Sequence, residues 1–469
     1  MGHVCVAAVN VGRARSRALV VASLGTVLTL VAFTAPLATV NAVAAELDAD
    51  VAGRTWMLSS MGVGLGATLL TAGALADDLG RRRLVVWGLL VLSAGSALSA
   101  LAGSTGLFVA SRVVQGVGGA AVVAASLGLV AHWYEPGPAR ARAAGVWGAS
   151  VGGGITLGPL LSTFLERWLT WRDAYWVLVV GSLAVAAHGR LRLEENRSAT
   201  PRGLDLAGAA LLSASLTCLL AAMVEGRQGW TSTLVLGLAG AAVVTGLGFV
   251  AVEARSASAM VPLELFRAPR FVAATTAAFV TGAGIIAVMS YLPGFLGLAL
   301  GVPATTTALV FVAWSGTSVV VALFARRLPA RFTGRLQLAA SLALVGVGQL
   351  ALGGVGTGSS WGRLVPGLLV AGVASGVLNS ALGREAVASV PDGRGAMGSG
   401  ANNTARYVGS AVGVTVVSVV VAAVAAQPSG APASDGVAGL VAGWNAAVLV
   451  TAAVSLVGSV VVLLCRERG

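Results

Sequence analysis

The chain has 469 residues, of which 57 % are hydrophobic and only 10 % charged, a balance that excludes a soluble globular protein of this length. Its net charge of +12 comes from thirty basic residues, all arginine, and their gathering into alternate gaps between apolar runs excludes a nucleic-acid-binding face. Cys5, Cys218 and Cys465 have neither disulfide nor metal-ligand spacing.

Fourteen apolar runs follow one another, near 18–45, 55–76, 84–104, 106–132, 143–165, 174–188, 205–225, 232–253, 271–299, 303–325, 336–358, 362–385, 396–426 and 437–465. A helix of about 20 residues crosses a hydrocarbon core of roughly 30 Å. Lipid gives bare backbone no hydrogen-bond partner, so the runs are predicted to be helices of an integral membrane protein. The first forty residues imitate a signal peptide. That run is too long for an h-region and thirteen more follow, so it reads as a retained first span. One set of gaps together with both chain ends carries 23 arginines, and the other set carries five. The positive-inside rule puts the rich set, and both termini, in the cytoplasm.

No gap is long enough for a soluble domain. The predicted organisation is a tail (1–17), a six-helix bundle (18–188), a cytoplasmic linker (189–204) and two additional central helices (205–253). A second cytoplasmic linker (254–270), a second six-helix bundle (271–465) and a short C-terminus (466–469) complete it. The two bundles repeat weakly, with 111–125 aligning on 367–381 and Gly116 falling opposite Gly372. Likewise the gap 73–84 corresponds in position to the basic gap 323–336. Repeated six-helix halves mark transporters whose substrate site lies near the midplane between them.

Polar residues inside the spans are the candidates for chemistry. After the second span stands an ordered run with Gly73, Asp77, Asp78, Gly80, Arg81, Arg82 and Arg83. Its glycines suit close helix approach and a tight turn, and Asp77 suits a helix N-terminus or an arginine. Arg112 lies about 9 Å into the fourth span at helical rise. A guanidinium there is costly unless it faces a cavity, finds acceptors or snorkels to the interface. Gln115, Gly116 and Gly119 share its face. Gly154, Gly158 and Pro159 lie in the fifth span, where small residues let helices approach and proline bends them. Arg406, Asn402 and Asn403 in the thirteenth span, with Asn379 in the twelfth, suit either a polar cavity or hydrogen bonds that hold helices together. Phe33, Trp147, Phe311 and Trp314 suit an apolar pocket or plain packing. The sequence carries no phosphate loop, catalytic triad or metal-ligand cluster, so neither an enzyme, a cofactor nor a metal is expected.

The run Gly73–Arg83 resembles the motif between the second and third helices of the major facilitator superfamily. Ser111-Arg112 through Gln115-Gly116 is similar to that superfamily's fourth-helix motif. Gly154 through Gly158-Pro159 is similar to the motif of its antiporter members. Trp171-Arg172, Glu225-Gly226, Gly229-Trp230, and Asn402-Asn403 with Arg406 and Gly409 resemble the fourteen-helix drug/proton antiporter branch. The resemblance implies an all-α major facilitator fold in a bacterial cytoplasmic membrane. It further implies a monomeric exporter of a lipophilic small molecule, such as a drug or antibiotic, driven by proton antiport through alternating access. Arg112, Gln115 and Asp77 would then couple protons, Gly73, Asp77, Gly80, Arg81 and Arg82 would gate the cytoplasmic side, and Gly154, Gly158 and Pro159 would seal the outer side. Asn41, Asn379, Asn402, Asn403, Arg406 and Trp314 would line the substrate cavity.

Three places depart from the pattern. Position 78 is Asp instead of a basic residue, Ser162-Thr163 replace the Gly-Gly that commonly follows the fifth-span Gly-Pro, and Pro36 stands where family members often carry an Asp five residues before Asn41. With no carboxylate deep in any span, Asp77, Glu225 and Glu385 are the remaining titratable candidates, and neutral, weakly acidic or monocationic substrates are expected in preference to dicationic ones. An exporter of an endogenous metabolite and a non-transporting membrane sensor are the rival readings.

Overall fold

The computed structural model describes residues 2–198, 205–227, 229–256, 259–260, 262–327, 332, 334–425 and 435–466. Residues 199–204 of the first expected linker, 257, 258 and 261 of the second, Arg331, and 467–469 of the expected C-terminus lie outside the described residues.

Every long element among the described residues is a helix. In chain order they are α1 (Gly2–Thr34), α2 (Pro36–Glu46), α3 (Val51–Leu79), α4 (Arg81–Ala100), α5 (Thr105–Trp133), α6 (Pro138–Trp168), α7 (Trp171–Arg192) and α8 (Leu206–Glu225). Then come α9 (Thr233–Glu253), α10 (Pro269–Thr281), α11 (Ala287–Leu300), α12 (Ala304–Phe324), α13 (Gly334–Leu350), α14 (Val365–Ala388), α15 (Gly395–Ala425) and α16 (Asp435–Leu464). Local chemistry sets several starts. The Asp50 carboxylate accepts from Gly53 N at 2.7 Å, Asp205 from Gly208 N at 2.8 Å and the Ser232 hydroxyl from Val235 N at 3.2 Å. A capping box between Thr170 and Asp173 begins α7 at Trp171, ahead of the expected 174.

Two expected spans are interrupted. The first, near 18–45, breaks at Ala35 because Pro36 opens a new helix, α2. The ninth carries a π-turn over Gly282–Ile286 that joins α10 to α11. Among the described residues thirteen stretches are long and apolar enough to cross a membrane, against fourteen expected. The remaining stretch is α13, whose 17 residues span about 26 Å, short of a core of roughly 30 Å.

The helices form two bundles, α1–α7 and α10–α16, with the same internal packing. The fourth helix of each half lies against the second. A Cβ on Gly116 would stand 2.4 Å from the Met61 carbonyl oxygen in α3, and one on Gly372 2.6 Å from that of Trp314 in α12. The fifth helix lies against the first. Cβ atoms on Gly154 and Gly158 of α6 would meet Leu30 at 2.5 Å and Thr34 at 2.0 Å. Those on Gly409 and Gly413 of α15 would meet the Phe279 and Ala283 carbonyls at 2.1 and 2.4 Å. Between the halves α15 packs on α3 and α5, while α6 packs on α12 and α14. Helices α8 and α9 are central in the chain but peripheral in the bundle. Of the two, α8 leans on α3 and α15, whereas α9 packs mainly on α8 and leaves most of its apolar surface exposed.

Candidate functional site: a latched end and an open cavity between the halves

The Arg-rich end is closed by a polar knot that joins the two halves. Asp77, fully buried two residues before the end of α3, receives Nε and Nη2 of Arg81 on Oδ1 at 2.9 and 2.7 Å. The same carboxylate receives the Ala396 and Met397 backbone N–H groups at 3.2 and 2.8 Å. These donors belong to the first turn of α15, so one carboxylate satisfies an arginine and a helix N-terminus of the opposite half. Gly73 makes the approach possible, since a Cβ there would stand 2.3 Å from the Ala396 carbonyl oxygen. Gly80, at φ +119°, turns the chain between α3 and α4, a conformation open to glycine. Arg81 extends the knot by donating to the Gly393 carbonyl at 2.7 Å and to Asn196 Oδ1 at 3.3 Å. Asp78, where the resembling pattern has a basic residue, pairs with Arg394 of the second half at 2.8 Å. The departure therefore carries its own counter-charge.

Part of the predicted cytoplasmic linker, 189–204, straps this knot. Asn196 O accepts from Arg81 N at 2.9 Å, Ser198 N donates to Asp77 O at 2.7 Å, and Glu195 pairs with Arg82 and Arg83 at 3.5 and 3.4 Å. The only sequence signal for it is the Glu194–Glu195 pair inside an arginine-rich gap.

Arg112 is fully buried and reaches neither solvent nor the interface. Nη1 donates to the Ala32 carbonyl and, at 2.7 Å, to Gln115 Oε1, while Nη2 donates to the Phe33 carbonyl at 3.2 Å. Gln115 in turn donates to Ser96 Oγ at 2.9 Å. The Ala32 acceptor is open because of Pro36. In an unbroken helix the N–H of residue 36 would bond the carbonyl of residue 32, and proline has none. The residue that displaces the expected carboxylate thus supplies Arg112 with a neutral acceptor instead.

Between the halves lies a cavity lined by Leu30, Phe33, Trp314, Asn379 and Arg406 among others. It shares Leu37, Ser290 and Phe311 with a wider vestibule that carries Asn41, Arg54 and Pro159 toward the Arg-poor end. A side pocket shares Phe33, Tyr407 and Ser410 with the cavity and reaches Arg227. Phe33 meets Tyr407, and Phe311 meets Trp314, edge to face at 5.6 and 5.4 Å between ring centroids. The Trp314 indole donates to Ser375 Oγ at 3.1 Å, which leaves its ring as apolar wall.

The structure brings Asn379, Arg406 and Trp314 together on the cavity and places Asn41 and Pro159 on the vestibule. It turns Asn402 to the Ala274 carbonyl of α10 at 3.0 Å and Asn403 to the Ser399 carbonyl at 3.0 Å, so Asn402 ties α15 to α10 while Asn403 bonds within its own helix. Gly154 and Gly158 hold α6 against α1, with Thr34 Oγ1 donating to Gly154 O at 3.4 Å. The other two candidate carboxylates are also held. Glu225 accepts from Trp56 Nε1 at 2.5 Å, and Glu385 pairs with Arg270 at 2.9 Å.

Comparison with known proteins agrees with this architecture. The pattern of the Major Facilitator Superfamily matches residues 22–414. The chain is 31 % identical over 394 residues to a probable actinorhodin transporter of Streptomyces coelicolor, covering 80 % of this chain and 67 % of that protein. It is 30 % identical to the multidrug resistance protein Stp of Mycobacterium tuberculosis (78 % and 68 % covered). It is 28 % identical to the tetracenomycin C resistance and export protein of Streptomyces glaucescens (80 % and 70 % covered). A crystal structure of the human organic anion transporter MFSD10 superposes with a TM-score of 0.66 over 96 % of this chain and 99 % of that one; at 19 % identity it speaks for the fold alone. With two repeated bundles, a motif-built knot across them and a pattern match over most of its length, the chain is a multi-pass membrane transporter that belongs to the Major Facilitator Superfamily.

Proposed function

We propose that this protein is a fourteen-helix, proton-coupled exporter of lipophilic small molecules in a bacterial cytoplasmic membrane, working as a monomer by alternating access. One observation carries the reading: an aromatic-walled cavity between the halves opens at the Arg-poor end while the Asp77 knot closes the Arg-rich end. The positive-inside rule makes the Arg-rich end cytoplasmic, with both chain ends on that side, so the arrangement is the outward-facing half of a transport cycle. In this reading α13 completes the fourteenth span. The relatives named for multidrug resistance and for tetracenomycin C export support the substrate class.

Asp77 is the proposed proton carrier. Protonation would remove the charge that its arginine and backbone donors share, loosening the knot and opening the cytoplasmic side. Arg112 and Gln115, joined to the broken first span, would relay the change to the cavity wall. Gly154 and Gly158 would keep α6 on α1, and the bend at Pro159 would help seal the outer side. Everted vesicles test the scheme. Uptake of a lipophilic dye should follow an imposed proton gradient and fall to background when the gradient is collapsed; uptake indifferent to the gradient would rule out antiport. The relative named as an actinorhodin transporter favours a second reading, export of an endogenous metabolite. Disruption of the gene would then alter secreted products without changing drug resistance.

A further inference from the structure

The cavity wall holds a permanent cation whose side-chain partner is the neighbouring Tyr407 and not a carboxylate. Arg406 is 6 % exposed, lines the cavity and, among the described residues, is paired with no carboxylate. It lies about 17 Å along α15 from Gly395, close to the bilayer midplane, where an uncompensated charge is expensive. Its guanidinium carbon stands 5.7 Å from the Tyr407 ring centroid. The repeat shows that architecture does not demand it. Gly409 and Gly413 occupy in α15 the places of Gly154 and Gly158 in α6, and the residue three before Gly154 is Val151, which lines the same cavity. One half thus keeps an aliphatic residue where the other carries a permanent charge.

The remaining walls repeat the imbalance. Among the described residues the cavity, side pocket and vestibule present Arg406, Arg227 and Arg54 and no Asp or Glu. A cationic ligand entering this space would meet repulsion without an acceptor, whereas an anionic group would repay part of the desolvation of Arg406. Asn379, half-buried on the same wall, adds amide donors, and the Phe33–Tyr407 and Phe311–Trp314 pairs accept a flat ring system.

We infer that the transported substrates are lipophilic aromatic monoanions, with Arg406 receiving the acidic group and the aromatic walls the ring body. This rests on the export reading and narrows it. The test uses the full chain in proteoliposomes and two xanthene dyes of similar shape: fluorescein methyl ester, a monoanion at neutral pH, and pyronin Y, a cation. Exchange without an imposed gradient removes coupling from the comparison. The wild type is expected to exchange the anion in preference to the cation. Arg406→Gln should lower anion exchange about tenfold without lowering that of the cation, and Arg406→Lys should retain the anion preference. A wild type that prefers pyronin Y, or an Arg406→Gln variant with undiminished anion exchange, overturns the inference and leaves export standing. Failure of the wild type to exchange either dye overturns both. If Arg406→Gln loses both dyes through misfolding, the wild-type preference and its retention in Arg406→Lys decide.

Discussion

A buried guanidinium must find acceptors, and Arg112 finds two backbone carbonyls at the broken end of α1. The chemistry is local: Pro36 withdraws one N–H, a carbonyl of α1 is left open, and Arg112 fills it together with Gln115. Pro36→Ala restores the missing donor and sets it in competition with Arg112. Dye uptake in everted vesicles is expected to fall several-fold while expression and mono-dispersity hold. Arg112→Ala strands Gln115 and two carbonyls, each unpaired group costing about 1–3 kcal/mol, and should abolish transport. Retention of wild-type uptake in Arg112→Ala would remove Arg112 from the mechanism.

At the scale of elements, glycines four residues apart fix the contact of the fifth helix on the first in both halves. Gly409 faces the Phe279 carbonyl so closely that any side chain must push α15 and α10 apart. Overpacking of this kind costs about 1–3 kcal/mol. Gly409→Val should therefore lower the melting temperature of the detergent-solubilised protein by several degrees. Gly237, on peripheral α9 with open space about its Cβ position, serves as the comparison, and Gly237→Ala should leave the melt unchanged. Equal shifts for the two variants would show that the first–fifth contact has no special weight.

For the whole molecule, the proposed alternating-access cycle makes closure at one end and opening at the other a single equilibrium, so in that reading a change that loosens the knot acts on both. Asp77→Asn keeps the shape of the side chain but removes its charge, weakening the bonds to Arg81 and to the start of α15. In a background with Cys5, Cys218 and Cys465 replaced by serine, Ser198→Cys reports on the strap and Asn41→Cys on the vestibule. Asp77→Asn should raise maleimide labelling of the first several-fold and lower labelling of the second. A rise at both sites would mean a loosened protein instead of an alternating one.

The sequence by itself determined that the chain crosses a membrane in repeated bundles, because apolar length and arginine spacing answer to the bilayer alone. It also marked Gly73, Asp77, Gly80 and Arg81, since a sharp turn next to a helix terminus needs those residue types in that order. Tertiary structure alone decided which polar residues meet the cavity. Asn402 and Asn403 look like Asn379 in sequence, yet they turn to the carbonyls of Ala274 and Ser399, whereas Asn379 faces open space. Only the packed fold brings Glu195, Asn196 and Ser198 over the knot, and Arg394 onto Asp78. Those partners lie a hundred to three hundred residues apart, and local pattern carries no record of such distances. The break at Pro36 is legible as chain chemistry, but that its freed carbonyl would be claimed by Arg112 depends on how α5 lies against α1.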